Sequence, residues 1–99
     1  MVRASYGDVR VTSGGKLVLI GYARELTVES GGYALIIGMV ERLVVKPGGR
    51  AKHRGYCRGD ATDEGGDLTV TRGAVIEGTL HGRSITHVMP GARFGPLRP

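Results

Sequence analysis

Side chains that could bind a metal ion or act in catalysis cluster in the middle of the chain. They are His53, Cys57, Asp60, Asp63 and Glu64. Zinc sites are marked by closely paired ligands such as Cys-x-x-Cys or His-x-x-x-His, and neither pairing occurs here. We also find no serine, histidine and acid arrangement and no phosphate-binding glycine loop that leads into a helix. The sequence therefore predicts a protein that is not an enzyme, with no metal site, no catalytic residues and no cofactor.

A short pattern recurs five times and organises the whole chain. It consists of an apolar or threonine residue, any residue, a valine, any residue, a corner residue, a glycine, and a glycine or alanine. Near-constant periods of this size indicate a repeat architecture. The copies span residues 9–15, 26–32, 43–49, 68–74 and 86–92, and their central valines lie 17, 17, 25 and 18 residues apart.

Each copy predicts a short strand followed by a corner. Alternating apolar residues bury one face of a strand, and the glycines that follow allow backbone angles that other residues resist. One 17-residue coil cannot enclose a core alone, so the coils must stack at about 4.8 Å. The predicted fold is an all-β, single-domain β-solenoid (β-helix) of about five coils over residues 1–99, with a period near 17 residues and one enlarged coil.

The long interval between Val45 and Val70 marks that enlarged coil. The extra length falls in the polar, glycine-rich segment 56–66, which we interpret as a loop protruding from the third coil. Such a loop is either a functional site or a tolerated insertion. Residues 95–99 form a proline-rich C-terminal tail.

The constant register also places two reactive residue types inside. His53 follows Leu19 and Ile36 in an inward column, and Cys57 follows Ala23 and Val40. At His53 we expect either a locally distorted strand or a partly buried ring whose nitrogens are satisfied. At Cys57 we expect a buried, inert thiol. The alternative for Cys57 is a reactive thiol activated by neighbouring arginines.

The same register aligns Tyr22, Met39 and Tyr56 in one outward ladder. Tyr33 falls in a different column, between Lys16 and Arg50. Tyrosine, methionine and arginine are enriched in protein interfaces, so these columns are candidate contact surfaces. The predicted protein interface contains Tyr22, Met39, Tyr56, Tyr33, Arg50, Arg54, Arg58, Asp60, Asp63 and Glu64.

The composition indicates the cellular compartment and the classes of binding partner. The 99 residues include 18 glycines and one cysteine, and the net charge is +5. A single cysteine excludes an internal disulfide, and no signal core or membrane-length apolar run is present, so we predict a cytoplasmic protein. Acidic residues interrupt the basic ones, which disfavours nucleic acid as a partner.

The segment from Gly66 to Gly82 resembles the bactofilin family of bacterial cytoskeletal proteins, and Tyr6–Val11 does so more loosely. The resemblance implies a three-sided β-helix that polymerises end to end without a nucleotide. We therefore expect a structural or scaffold protein that self-associates through its β-helix. The alternative is a small protein-binding module, such as an inhibitor or toxin-immunity protein, that uses its side face or the third-coil loop.

Overall fold

Alternating apolar residues and glycine corners wind the chain into a β-solenoid of about five turns. This computed structural model describes residues 5–82, 87–94 and 97–98. All regular elements in these ranges are strands, and all of their pairings are parallel. Tyr22 pairs with Met39 and Met39 with Tyr56, so the period predicted from the sequence separates stacked residues. The predicted all-β solenoid is confirmed.

One sheet contains five strands that stack in the order β2-β4-β6-β9-β12. Its inward positions include Leu19, Ile36, His53 and Val70, each beside the next. The strands are β2 (Lys16–Leu19), β4 (Tyr33–Ile36), β6 (Arg50–His53), β9 (Asp67–Val70) and β12 (His87–Val88).

A second sheet contains nine strands in the described ranges, and after its third strand it divides into two branches. It begins with three seven-residue strands, β1 (Ser5–Val11), β3 (Tyr22–Val28) and β5 (Met39–Val45). The first part of β5 pairs with β7 and the second part with β8, so two branches continue from there. The branches are β7 (Tyr56–Cys57), β10 (Val75–Ile76) and β13 (Arg93–Phe94), and β8 (Ala61–Asp63), β11 (Leu80–His81) and β14 (Leu97–Arg98).

Glycines in the left-handed backbone region form one corner of successive coils. Gly14, Gly31 and Gly48 have φ angles of 80°, 82° and 81°. The amide of Gly14 donates to the carbonyl of Gly31 at 3.0 Å, and the amide of Gly31 donates to that of Gly48 at the same distance. Only glycine adopts this region readily, which explains why the repeat places glycine there.

The core is a set of aligned inward columns. Ala23, Val40, Cys57 and Ile76 form one of them, and each is fully buried. The predicted inward position of Cys57 is confirmed. The other fully buried apolar residues are Leu19, Leu26, Val28, Ala34, Ile36, Leu43, Val45, Ala61, Leu68, Val70, Ala74 and Leu80.

The predicted valine column is correct for the first three copies of the repeat and wrong for the last two. Val45 stacks on Asp63, whereas Val70 stacks between His53 and Val88 in the five-stranded sheet. Strands of both sheets alternate in the same way, and the corner after β9 contains Gly73 with a φ angle of 83°, like the glycine corners of the first three coils. The short motif therefore cannot distinguish the two sheets.

The predicted protruding loop at 56–66 is also wrong. These residues include β7 and β8, which pair with β5 on one side and with β10 and β11 on the other. The interval from Val45 to Val70 is one coil, from Val45 to Asp63, followed by a short passage into the other sheet. This coil begins at β7 and is the fourth, because β1, β3 and β5 begin the first three. Tyr56 pairs with Val75, so it is only slightly longer than the coils before it.

The predicted C-terminal tail is partly structured. Leu97 pairs with Leu80 and Arg98 with His81, so β14 continues the stack. Residues 95, 96 and 99 lie outside the described residues.

Candidate functional site

The predicted ladder of Tyr22, Met39 and Tyr56 exists in the described structure. The three residues pair directly in successive coils, and Val75 continues the column. All of them are half-buried. Strand pairing holds these side chains in a fixed row, but their partial burial makes the ladder a weaker contact surface than a fully exposed one. Its role in binding stays a prediction.

Glu41 affects the first residue of this ladder. Partial burial raises the pKa of the Tyr22 hydroxyl, and the neighbouring Glu41 carboxylate raises it further.

The second predicted column lies on the outward side of the five-stranded sheet. Tyr33 pairs with Lys16 in one direction and with Arg50 in the other, as predicted. Arg50 is followed by Asp67, and its Nε lies 3.6 Å from the Asp67 Oδ2. Arg50 thus remains exposed but has an anionic neighbour.

Two predicted interface arginines lie in different surroundings. Arg54 is exposed just after β6. Arg58 lies beside Glu41 and Arg24 at a surface depression of about 550 Å³. The structure therefore separates Arg58 from Arg50 and Arg54, which both lie on the outward side of β6 and its end.

Asp60 has a structural role at the corner between β7 and β8. Its Oδ1 accepts a hydrogen bond from the Thr79 amide at 2.8 Å, and its Oδ2 lies 3.8 Å from His81 Nε2. A carboxylate that binds a backbone N–H in the next coil fixes the stacking of those two coils.

Asp63 does not belong to the surface, which corrects the prediction. Its side chain is 4% exposed and takes the place of a core valine. The Asp63 Oδ1 accepts hydrogen bonds from the amides of Gly66 at 2.9 Å and Gly65 at 3.3 Å. A buried carboxylate is stable only when such donors satisfy it, so Asp63 acts as a corner residue. Glu64, next along the chain, lies outside and is 3.3 Å from Lys46 Nζ.

Cys57 is a buried thiol, and the alternative of an activated thiol is not supported. Its Sγ donates a hydrogen bond to the Gly59 carbonyl at 3.4 Å. Burial raises the pKa of this thiol to about 11, which is the opposite of activation.

Alkylation tests this assignment. At pH 8 the native protein should react with iodoacetamide roughly 100-fold more slowly than a free cysteine, because the raised pKa leaves little thiolate and the sulfur is buried. The urea-unfolded chain is the control and should react at the free rate. Equal native and unfolded rates would contradict the buried position.

The sequence analysis missed an apolar surface on the five-stranded sheet. Leu35 and Val18 point outward and are half-buried, while Ile20 and Ile37 are 37% and 44% exposed. The signal was the unbroken run at residues 33–37. Because side chains of a strand alternate, only every second residue of that run can be inside. The remaining apolar residues had to lie outside.

Comparisons with protein-family models, curated proteins and solved structures gave no match for this chain. Among the described residues, no helix is long and apolar enough to cross a membrane. In the same ranges, no group of three or more histidine, cysteine, aspartate or glutamate side chains is placed to hold a metal ion.

Proposed function

We propose that this chain is a non-catalytic structural protein that associates with further copies of itself through the ends of its solenoid. The proposal rests on the strand pairing of the first coil. Within the described part of the chain, β1 pairs only with β3 and β2 only with β4. The outer edge of this coil thus presents strand N–H and C=O groups to another chain.

Apolar side chains at the same end favour association. Val9 and Leu17 are half-buried and pack against the core from the first coil. A further coil on this end would bury them as Leu26 and Ala34 are buried one coil below. Burial of apolar surface contributes about 25 cal/mol per Å² and would add to the strand pairing.

The resemblance of residues 66–82 to bactofilins supports the same proposal. These residues span β9, β10 and β11, which are paired on both sides in the described structure. Membership of a polymer-forming family is therefore part of the proposal, together with a cytoplasmic location.

Sedimentation velocity and light scattering at rising protein concentration test the proposal. The apparent mass of the wild-type protein should increase with concentration. Leu17→Lys should move this increase to a concentration about tenfold higher or more, because stacking would enclose an ammonium group that the open end leaves in water.

Thr27→Lys is the matched control, since Thr27 is an outward residue of β3 one coil further in. It should associate like the wild type, and circular dichroism should show the same strand content for all three proteins. A constant monomer mass up to millimolar concentration would rule out self-association through the ends.

A further inference from the structure

The outward side of β2, β4 and β6 begins with a mixed column of Lys16, Tyr33 and Arg50. Beyond that column the first two rows are apolar, with Val18 and Ile20 in one and Leu35 and Ile37 in the next. The pairing continues past the strand ends, because the amide of Ile37 donates to the Leu19 carbonyl at 2.8 Å. We call these four residues the apolar rows.

The third row of the same surface is basic. Arg50, Lys52 and Arg54 alternate along β6 and its end, all three pointing outward and exposed. Alternate residues of a strand lie roughly 7 Å apart. Among the described residues, only Arg50 of these three has an ion-pair partner, Asp67 at 3.6 Å. We call these three residues the basic row.

A depression interrupts the basic row. Its volume is about 180 Å³, and it lies over Ala51. Tyr33 and Arg50 line one part of it, and Lys52, Asp67 and Thr69 the rest. A recess of this size accommodates one side chain, which is how interface anchors are usually held.

We infer that this side face binds an acidic segment of a partner protein. The apolar side chains of that segment lie on the apolar rows, its carboxylates lie beside the basic row, and one side chain enters the depression. Charge complementarity selects the partner, since Lys52 and Arg54 offer two cations without a carboxylate in the described structure. This inference does not depend on association through the solenoid ends.

Two features favour a protein over an anionic membrane surface. Asp67 lies on the same face, directly after Arg50, and its carboxylate would be pressed against anionic headgroups. The apolar side chains are also only partly exposed, at most 44% for Ile37, whereas membrane-surface segments insert their apolar side well into the headgroup region. A recess for one side chain matches a protein segment and not a lipid surface.

The small size of the face determines the strength of binding. Three rows of short strands span about 10 Å across the strands, which is less than half the width of a standard protein interface. We therefore expect a transient complex whose affinity decreases when salt is added.

Fluorescence anisotropy with designed peptides tests the inference. The probes are two short labelled peptides that share the same leucines and differ in carrying either glutamate or lysine at the intervening positions. The glutamate peptide should bind the wild-type protein at least about tenfold more tightly than the lysine peptide. Leu35→Ser combined with Ile37→Ser should weaken this binding about tenfold, and Lys52→Glu should do so independently.

Matched controls lie on other surfaces. Val44→Ser changes an outward apolar residue of β5, and Arg72→Glu reverses an exposed cation at the corner after β9. Both should bind the glutamate peptide as the wild type does. Unchanged thermal melting shows that each variant folds, and Lys52→Glu keeps the test valid if the serine variant is unstable.

Three outcomes would overturn the inference. One is equal binding of the two peptides, and another is equal weakening by the control variants. The third is binding to phosphatidylglycerol vesicles that Lys52→Glu abolishes while the glutamate peptide does not bind, which would assign the face to a membrane. Amide shifts confined to β2, β4 and β6 on addition of the glutamate peptide would support the inference.

Discussion

Replacing Gly38 with alanine is expected to destabilise the protein by about 3 kcal/mol or more, because the stacked coils leave no space for a methyl group. A Cβ at this position would overlap the carbonyl oxygens of Gly21 and Ile20 in the coil above. The backbones are held at this distance by hydrogen bonds, since the amide of Gly38 donates to the Leu19 carbonyl at 2.9 Å. Relief would require the two coils to separate and to lose strand pairing.

Urea denaturation measures this effect, and Gly7→Ala is the matched control. In the described ranges, nothing lies within 4 Å of a Cβ built on Gly7. Its replacement should leave the free energy of unfolding within about 1 kcal/mol of the wild type. Gly55→Ala should behave like Gly38→Ala, because its Cβ would overlap the carbonyl oxygen of Gly38. Equal denaturation midpoints for the Gly38 and Gly7 variants would show that the coils are not packed this closely.

The fold was predictable because two local rules coincide in the first three coils. Alternation fixes which side chains are inside, and a glycine at the same place in each coil fixes the period. This register puts Glu25 beside Arg42 in the next coil, and the Arg42 Nη1 lies 3.7 Å from the Glu25 Oε2. Local pattern and global stacking therefore agree over residues 9–55.

The fourth coil could not be predicted because its local pattern is ambiguous. Asp63 replaces a valine at an inward position, which removes the motif from the place where the register requires it. The same motif then appears around Val70 in the other sheet. From sequence alone, Asp63 is predicted to lie on the surface, because its carboxylate is charged. Only the structure reveals the Gly65 and Gly66 amides that bind this carboxylate inside the core. Predicting this coil requires knowing which strands pair and which amides bind Asp63, and the sequence does not contain that information in a local pattern.

The candidate surfaces were predictable to the extent that register determines them. The Tyr22 ladder follows directly from the constant period of the first coils. The side face depends in addition on the direction of Leu35 and Ile37, which alternation also determines. What sequence could not give is the depression beside Arg50, because its shape depends on how neighbouring side chains lie.

Acidification from pH 7 to about 5.5 is expected to destabilise the protein through His53. This side chain is fully buried, and burial lowers its pKa below the ordinary value of 6.5. The unfolded chain therefore binds a proton more readily than the folded protein does. Stability contributed by the neutral ring is complete above pH 6.5 and decreases as the pH falls toward the folded pKa, by up to about 1.4 kcal/mol per pH unit.

His53→Leu should remove most of this pH dependence and also raise stability at pH 7. Leucine matches the neighbours of the column, Ile36 and Val70. Among the described residues, the buried His53 Nδ1 has no hydrogen-bond partner, and its Nε2 donates only a long bond of 3.4 Å to the Val75 carbonyl. An unsatisfied buried nitrogen costs about 1–3 kcal/mol, so we expect a net gain of about 1 kcal/mol after loss of the Val75 bond.

Thermal melts of the wild type, His53→Leu and His87→Gln at pH 7 and 5.5 separate this effect from other titrations. His87 is the control because its side chain is 76% exposed, so its replacement should preserve the decrease in stability on acidification. If His53→Leu loses as much stability as the wild type between these two pH values, protonation of His53 does not cause the loss. The conclusion that His53 is neutral in the folded core would then be wrong.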